Sequence, residues 1–374
     1  MDFQCTDHRR RLFVSLTGER TYAIARRGLV IMCTGLKLTC RDGSVVAGRT
    51  AEFGIDLDLR ILFVPAGMDG SSSLGSQPGM TWTTQHAAVG IGAFDNPSIV
   101  DGFNDAGLTV AGFYFSQYAD YVPASKATAE KSMNAIDFSG WALGTCASTR
   151  ELAEAVADIT IADIAVPGWG DAAPPFHWIA YDADGTSIVI EPLGEKLVVT
   201  DNPIGAMANA PDFDFHLKNL GNYLNIRPLN VDSSDAFGVH LVASSQGTGA
   251  LGLPGDGTSP SRFVRAAYYS ASHADPATAL DGIHEVFHLL NMFDIPIGSV
   301  QAQAHGMTAA EWTLATCARD PKAGDYYWRT YGDQSIRKVS LPALTAKHTK
   351  IVRIGAGPST GDVTPVTDAT ADLI

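Results

Sequence analysis

Residues 33–53 read CTGLKLTCRDGSVVAGRTAEF and give the strongest indication of the fold. Two apolar segments, residues 34–39 and 45–53, flank the dipeptide Asp42-Gly43. Asp-Gly between apolar segments is typical of a β-hairpin turn, because glycine accepts the positive φ that tight hairpin turns require. The stretch therefore predicts two antiparallel strands that begin directly after Cys33.

Cys33 follows Met32, and this position suggests a chemical role. If Met32 is an initiator that is removed, Cys33 becomes the first residue. Its α-amine, with a pKa of about 8, would then take the proton of its own thiol, whose pKa is about 8.5. N-terminal threonine hydrolases combine nucleophile and base on one residue in this way. The alternative interpretation is a buried cysteine of a strand.

The first 32 residues differ in charge from the rest of the chain. They contain six arginines against three acidic residues and carry +3, whereas the whole chain carries −14. Their longest purely apolar run, Leu29–Met32, is shorter than the apolar region of a secretory signal peptide. We therefore expect residues 1–32 either to be removed or to be upstream sequence that is not normally translated, and we favour the second.

The overall composition restricts the class of protein. Hydrophobic residues make up 45% and charged residues 18% of the chain, as in a folded globular protein. A net charge of −14 argues against nucleic acid and anionic membranes as partners, because both attract basic surfaces. No apolar run approaches the roughly 20 residues of a membrane span. Five cysteines without a C-x-x-C pair favour a reducing, cytoplasmic location over a disulfide framework or a structural zinc site.

Strand and helix patterns follow one another along the rest of the chain. Helical periodicity predicts a helix over residues 149–157 and another over 277–293, the latter with Leu280, Ile283, Phe287 and Leu290 on one face. This succession indicates an α+β layered domain over residues 33–354. Residues 355–374 are rich in Gly, Pro, Ser, Thr and Asp and are predicted to be a disordered tail. Further strands are predicted at residues 98–100, 108–115, 177–181, 187–191, 196–200, 311–319 and 325–331.

Several short motifs along the chain resemble those of one enzyme family. They are Cys33–Leu36, Gly48–Phe53, Asp101–Asn104, Asp201–Pro203, Asn209–Pro211, Asn219–Tyr223, Gly252–Asp256 and Ser259–Phe263. In this order and at this spacing they resemble the choloylglycine hydrolase family. That family contains conjugated bile salt hydrolases, penicillin V acylases and many linear amide C–N hydrolases. The resemblance extends from Cys33 to about Tyr331.

The resemblance implies a fold and an activity. The fold is the four-layer αββα sandwich of N-terminal-nucleophile hydrolases, with two stacked sheets between outer helices. The activity is hydrolysis of a linear amide in a small molecule by an N-terminal cysteine, without a metal or another cofactor. The resemblance also implies a homo-oligomer, a homotetramer. It leaves the acyl group open, because penicillin V, conjugated bile salts and N-acyl homoserine lactones all contain a suitable amide.

The resemblance assigns roles position by position. Cys33 corresponds to the nucleophile and, through its α-amine, to the base. Arg49 corresponds to an arginine on the nucleophile sulfur, where a guanidinium should favour the thiolate. Asn209 corresponds to the side-chain donor of the oxyanion hole, and Arg262 to an arginine that polarises the site. Without the resemblance, these three residues would be interpreted as a strand arginine, a turn asparagine and a helix-start arginine.

Two positions depart from the commoner family pattern. Glu52 stands where the family usually has an aspartate that holds the α-amine, so its carboxylate reaches one methylene further. Tyr114 stands where bile salt hydrolases usually have asparagine and penicillin V acylases have tyrosine. In the family this residue donates its backbone N–H to the oxyanion hole, so the side chain need not alter the chemistry. The tyrosine moves the expected substrate away from conjugated bile salts.

Two other functional hypotheses remain open. His284-Glu285-Val286-Phe287-His288 matches the H-E-x-x-H pattern of zinc metalloproteases, which places two histidine ligands one helical turn apart. The Gly and His of the elongated form of this motif do not follow, and Glu311, a candidate third ligand, falls in a predicted strand. Alternatively, the protein is a catalytically silent binding protein in which Cys33 stays capped by residues 1–32.

Overall fold

A computed structural model describes residues 32–94, 96–167, 169, 172–304 and 307–360. Residues 1–31 and 361–374, which hold most of the predicted extension and tail, lie outside the described ranges. Within these ranges the chain forms six α-helices: α1 (Asp137–Thr145), α2 (Thr149–Ala155), α3 (Phe213–Leu220), α4 (Ser259–Ser272), α5 (Ala279–Leu290) and α6 (Leu341–Thr345). The strands are β1 (Cys33–Thr39), β2 (Val45–Phe53), β3 (Arg60–Val64), β4 (Asp69–Leu74), β5 (Gln77–Thr83), β6 (Ala88–Gly92), β7 (Asp101–Asn104), β8 (Thr109–Tyr114), β9 (Val122–Pro123), β10 (Ser132–Met133), β11 (Thr160–Asp163), β12 (Phe176–Tyr181), β13 (Ser187–Leu193), β14 (Lys196–Asp201), β15 (Ser234–Ala236), β16 (Val239–Leu241), β17 (Val300–Ala304), β18 (Met307–Asp320), β19 (Asp325–Thr330), β20 (Asp333–Ser340) and β21 (Val352–Gly355).

The first large sheet carries the predicted β1–β2 hairpin. Its strands follow the order β1, β2, β18, β19, β20, and β17 pairs with β18. Neighbouring strands are antiparallel, and Cys33 lies opposite Ala51. The predicted hairpin and the predicted strand pair near residues 311–331 are confirmed. Strand β2 is buried along nearly its whole length, which explains why its apolar residues do not alternate strictly with polar ones.

The second large sheet follows the order β14, β13, β12, β8, β7, β6, β3, β21. Its neighbouring strands are also antiparallel, and the predicted meander over residues 177–200 is confirmed as β12, β13 and β14. The prediction of a strand at residues 98–100 is wrong, because the strand that pairs with β8 begins at Asp101.

The two sheets face each other and are joined by a buried polar cluster. Arg319 of β18 donates from Nε to Asp101 Oδ1 of β7 at 3.1 Å, and the Tyr326 hydroxyl of β19 donates to the same oxygen at 2.8 Å. The sheets also approach closely where β1 meets β8, because a Cβ at Gly35 would lie 2.7 Å from the Phe113 ring. Glycine at this position therefore permits the close stacking of the sheets.

Helices cover the outer faces of the two sheets. Helices α4 and α5 pack against β1 and β2, and α1 packs against β7 and β8. The chain therefore forms the four-layer αββα sandwich that the resemblance implied, and the α+β class is confirmed. No α-helix in the described ranges is long and apolar enough to cross a membrane.

The helices show what the sequence patterns predicted and what they missed. Helix α5 begins with a capping box between Thr278 and Asp281 and buries Ile283 and Val286. Leu280, predicted on the buried face, is 56% exposed, so that assignment is wrong. Helices α1, α3 and α4 were not predicted from periodicity. At the other end of the domain, Ala356 is buried, so the packed structure continues past the predicted boundary at residue 354.

Candidate active site

The site is built around Cys33 at the start of β1. The Cys33 side chain is 5% exposed, and its Sγ accepts a hydrogen bond from Arg49 Nη2 at 2.7 Å. The strand register explains this contact, because Arg49 of β2 lies opposite Gly35 and its side chain reaches diagonally along the same face to Cys33. The Arg49 guanidinium also lies over the Phe113 ring, 4.8 Å from its centre, which fixes its plane.

Burial controls the ionisation of the Cys33 thiol. Removal from water raises the pKa of this thiol above its ordinary value, and the Glu52 carboxylate raises it further. The Arg49 guanidinium lowers the pKa, as expected from its position, but burial has the larger effect. With Met32 still attached, the site therefore favours the neutral thiol over the thiolate.

Asn209 connects the Cys33 backbone to Tyr114. Asn209 Oδ1 accepts from Cys33 N at 2.7 Å and from Arg262 Nη2 at 2.6 Å, and Asn209 Nδ2 donates to Tyr114 O at 2.7 Å. The orientation of this amide is well defined, because a guanidinium only donates and must face the oxygen. The bond to Tyr114 uses one hydrogen of Nδ2, so the second hydrogen is available for a substrate oxygen.

Arg262 of α4 holds the first residues of β1 in place. Its side chain is buried, and Nη1 donates to Cys33 O at 2.5 Å and to Thr34 Oγ1 at 2.7 Å. Its Nε donates to Gly257 O at 3.0 Å. Burial lowers the pKa of this guanidinium, and the Glu52 carboxylate opposes the shift. Arg262 therefore fixes both the Cys33 backbone and the Asn209 amide.

Glu52 lies at the junction between Met32 and Cys33. Its backbone N–H donates to Met32 O at 3.1 Å, and its Oε1 accepts from the Thr313 hydroxyl at 3.1 Å. Its Oε2 is buried and has no hydrogen-bond partner among the described residues. Burial raises the pKa of Glu52 to about 7. This oxygen is therefore a hydrogen-bond acceptor that no described donor uses.

The structure brings the six sequence-predicted residues Cys33, Arg49, Glu52, Tyr114, Asn209 and Arg262 together in one cluster. It also shows positioning residues that sequence reasoning missed. Ser259 Oγ donates to Asn209 O at 2.8 Å, and His216 Nε2 donates to the same oxygen at 2.8 Å. Ser259 stands inside a recognised motif and could have been found there, whereas nothing in the sequence around His216 indicated this contact.

An aromatic wall lies beside Cys33. The Tyr114 ring packs edge-to-face against Phe53 and Phe176, with centroid distances of 5.8 and 5.5 Å. Trp169 extends the wall, because its ring contacts Phe53, Phe94 and Phe176. Since Tyr114 O accepts a hydrogen bond from Asn209 Nδ2, these buried rings adjoin the cluster of Cys33 and Asn209. The polar cluster therefore has an apolar, aromatic neighbour.

The alternative zinc site is not formed. His284 and His288 lie on the exposed side of α5, whereas the candidate third ligand Glu311 is buried in β18. Within the described ranges, no group of three His, Cys, Asp or Glu side chains is placed to hold a metal ion. The H-E-x-x-H match is therefore explained by an amphipathic helix whose other face is packed.

The layered fold and the cluster at the start of β1 define a hydrolase of linear amide bonds. Residues 33–353 match the model of the linear amide C–N hydrolases, choloylglycine hydrolase family. The chain belongs to this family. Membership supports the amide hydrolase hypothesis over the zinc metalloprotease and over the catalytically silent binding protein.

Individual relatives agree with this assignment. The chain is 33% identical to a bile salt hydrolase/transferase of Clostridium perfringens over 317 residues, which cover 83% of this chain and 92% of the relative. A bile salt hydrolase/transferase of Lactiplantibacillus plantarum is 35% identical over 266 residues, 68% of this chain and 78% of the relative.

Solved structures show the same architecture. A mutant of the conjugated bile acid hydrolase from Clostridium perfringens superposes with a TM-score of 0.78 at 29% identity, covering 90% of this chain and 99% of that one. Penicillin V acylase from Agrobacterium tumefaciens superposes with a TM-score of 0.69 at 20% identity, covering 89% and 94%. The similarity to penicillin V acylase shows a common fold alone.

Proposed function

We propose that Cys33, as the first residue of the mature chain, is the nucleophile that cleaves a linear amide in a small molecule. The α-amine takes the thiol proton, and the thiolate attacks the amide carbon. The second hydrogen of Asn209 Nδ2 and the Tyr114 backbone N–H stabilise the oxyanion. The α-ammonium returns the proton to the leaving amine, and water then hydrolyses the thioester. The contact of 2.7 Å between Arg49 Nη2 and Cys33 Sγ is the observation that carries this proposal.

The mature chain, in this proposal, begins at Cys33. Met32 is buried, and its carbonyl oxygen accepts a hydrogen bond from the backbone N–H of Glu52. Removal of Met32 turns Cys33 N into an amine that keeps Asn209 Oδ1 as an acceptor and gains the free Oε2 of Glu52 as a second one. Intact-mass analysis of the active protein tests this step. Active enzyme that still carries residues 1–32 would contradict it.

The acyl group, in this proposal, is apolar and fits the aromatic wall formed by Tyr114, Phe53, Phe176 and Trp169. The relatives named above act on bile salts according to their names. The flat rings beside Cys33 favour an aromatic acyl group, because aromatic pairs gain energy beyond the area that they bury. We therefore expect penicillin V to be hydrolysed in preference to glycine-conjugated bile acids.

A hydrolysis panel tests the activity and the acyl preference together. Purified enzyme is assayed for amine release from penicillin V, a glycine-conjugated bile acid and an N-acyl homoserine lactone. Cys33→Ala should fold normally, bind substrate and release no amine, and Cys33→Ser should lose most activity because a hydroxyl is far less acidic than a thiol. Full turnover by Cys33→Ala would show that another residue is the nucleophile. A preference for the bile acid conjugate would refute only the acyl assignment.

A homo-oligomer, a tetramer in the family, is proposed from the surface of residues 224–251. This segment carries the small β15–β16 hairpin and exposes several large apolar side chains: Leu224, Leu229, Val231, Phe237, Val239, Leu241, Val242 and Leu251. Apolar surface of this kind is typical of a contact between subunits. Light scattering should give a multiple of the chain mass, and Phe237→Ser should shift it toward the monomer. A wild-type monomer would contradict the proposal.

The cellular location remains a proposal as well. Cys33, Cys40, Cys146 and Cys317 are buried free thiols in the described part of the chain. Thiols of this kind are typical of a reducing compartment. We therefore propose a cytoplasmic location, which cell fractionation would test.

A further inference from the structure

Glu311 is a buried carboxyl that the proposed mechanism does not use. It lies in β18, its side chain is fully buried, and neither of its carboxylate oxygens has a hydrogen-bond partner among the described residues. A buried carboxylate without partners is costly, so proteins usually neutralise or pair such a group. Its retention at this place therefore calls for a physical reason.

The strand register places Glu311 beside Glu52. Thr313 lies opposite Glu52 in the β2–β18 pair, and the Thr313 hydroxyl donates to Glu52 Oε1. Glu311 precedes Thr313 by two residues, and side chains two residues apart lie on the same face of a strand. Glu311 is therefore the diagonal neighbour of Glu52, at a backbone separation of about 7–8 Å that long side chains can bridge.

Met32 packs near the same face. Val300 lies opposite Glu311 in the β17–β18 pair. A Cβ placed on Gly257 would have Met32 Sδ at 3.9 Å and Val300 Cγ2 at 4.0 Å. Gly257 therefore lies between the Met32 side chain and Val300, the residue that pairs with Glu311.

The charges around the pair decide its ionisation. The pKa of Glu311 is raised to about 8 by burial and by the charge of Glu52, and the Arg262 guanidinium opposes this shift. Burial also raises the pKa of Glu52 to about 7, against the lowering effects of Thr50 and the Arg262 and Arg49 guanidinium groups. Two neighbouring carboxyls in one buried site lose their protons in two steps, because the first negative charge disfavours the second. The pair therefore gives up its second proton only at a higher pH than its first.

We propose that Glu311 is a positioning residue that holds the one proton of the Glu52–Glu311 pair, so that a single negative charge faces the α-ammonium of Cys33. The inference rests on the proposed role of the freed Cys33. Loss of this proton at higher pH adds a second negative charge, which favours the ammonium form over the amine that must act as base. The proton on Glu311 thus limits how strongly the carboxyl pair stabilises the ammonium form of the α-amine.

A difference titration tests the proton directly and needs no substrate. Wild-type enzyme and Glu311→Gln are titrated from pH 4 to pH 10, and wild type should release one additional proton per chain centred near pH 8. The matched control Glu154→Gln removes a glutamate that is exposed on α2. This control should leave the proton release near pH 8 unchanged. Release of the Glu311 proton near pH 4.3, the ordinary value for glutamate, would overturn the inference, whether or not the enzyme hydrolyses any amide.

The pH profile of activity supplies a second readout. Glu311→Gln should leave the lower part of the ascending limb of kcat/KM in place and should let the profile reach its plateau at lower pH, because the α-amine no longer faces the second negative charge that Glu311 acquires at higher pH. An equal loss of kcat at every pH, with no shift, would mean that Glu311 is only structural and would overturn the inference. If Glu311→Gln does not fold, carbon-13 spectra of glutamate-labelled wild type take its place. At least one side-chain carboxyl carbon, that of Glu311, should titrate above pH 6, and finding none there would overturn the inference.

Discussion

Asn209 has two roles, and two substitutions distinguish them. Its oxygen accepts from Cys33 N and Arg262, while its nitrogen is the proposed oxyanion donor. Asn209→Asp keeps the shape and the acceptor but removes the donor, so kcat should fall by about 10²–10³ with little change in KM. Asn209→Ala should lose at least as much activity and also some stability. Steady-state kinetics with penicillin V measures both variants, and an Asn209→Asp enzyme with wild-type kcat would rule out the donor role.

Glu52 is expected to act through its charge. Its free Oε2 should bind the α-ammonium of Cys33 and raise the pKa of that amine, because an opposite charge favours the charged form. Glu52→Gln should therefore reduce kcat strongly and move the acidic limb of the pH profile to lower pH. Glu52→Asp should retain more activity, because it keeps the carboxylate. Unchanged rates and an unchanged profile for Glu52→Gln would show that Glu52 is a structural strand residue.

At the residue scale, the sequence identified the side chains but not their environment. The resemblance named Cys33 and Arg49, and the hairpin register shows why they meet. The raised pKa of the Cys33 thiol could not be predicted, because burial depends on elements far away in the chain. Glu311 was considered only as a metal ligand, since its spacing in the sequence does not show that β18 lies next to β2.

The contact between α5 and β2 depends on Gly48. A Cβ at this position would lie 2.3 Å from Val286 Cγ1 and 2.8 Å from Cys317 O. Gly48→Ala should therefore lower the free energy of unfolding by about 1–3 kcal/mol, the usual cost of overpacking. Adding Val286→Ala should restore part of this loss, because it removes one of the three clashes, the third being with Leu290 Cδ1 at 2.9 Å. Urea unfolding measures all three proteins, and a fully stable Gly48→Ala would show that the helix moves away without cost.

The exposed histidines of α5 should be dispensable. Replacing His284 and His288 by glutamine leaves the buried face of the helix intact and should change stability by less than about 0.5 kcal/mol. Amide hydrolysis should be unaffected by this double replacement and by a chelator. One equivalent of zinc per chain, together with activity that disappears when zinc is removed, would restore the metalloprotease hypothesis.

At the element scale, helical periodicity predicted α5, which has the clearest apolar stripe. It missed helices that form because of tertiary contacts. Helix α5 was predicted because Ile283, Phe287 and Leu290 recur at helical spacing. Helix α1 contains two glycines, and a Cβ at Gly144 would lie 2.8 Å from Thr84 Cγ2. Local propensity disfavours a helix with such residues, so tertiary contact rather than sequence pattern specifies it.

At the scale of the molecule, one buried ion pair joins the two sheets. Asp101 and Arg319 are both almost completely buried, and Tyr326 donates to the same carboxylate. Asp101→Asn leaves the guanidinium buried without its counter-charge and should cost about 3–5 kcal/mol of unfolding free energy. Asp105→Asn, at a partly exposed carboxylate, is the control and should cost much less. Equal losses in urea unfolding would contradict a special role for the inter-sheet pair.

The site is assembled from segments that lie far apart in the chain. For this reason its geometry could not be predicted from the sequence alone. Asn209 and Arg262 reach Cys33 because α4 packs against β1 and because Gly35 of β1 exchanges backbone hydrogen bonds with Met207, two residues before Asn209. Motif order predicted that these residues belong together, since the family resemblance spans the domain. The distances and the shared carboxyl pair follow from strand order, which no local pattern contains.

The pH dependence of stability provides a test of the buried carboxyls in the whole molecule. Glu52 and Glu311 have folded-state pKa values raised to about 7 and about 8. A raised pKa gives stability that is complete below the unfolded value of about 4.3 and is lost as pH rises through the folded values. Chain that retains Met32 should therefore lose stability between pH 5 and pH 8, relative to the double variant Glu52→Gln, Glu311→Gln.

Chain that begins at Cys33 should lose less stability over the same pH range. Its α-ammonium lies beside the carboxyl pair and favours the ionised form, which lowers the pKa of Glu52 toward its ordinary value. Urea unfolding of both forms at pH 5 and pH 8, each against its double glutamine variant, measures the difference. Equal pH dependence in the two forms would mean that the freed amine does not face the carboxyls. The proposed link between removal of Met32 and the charge state of the site would then be wrong.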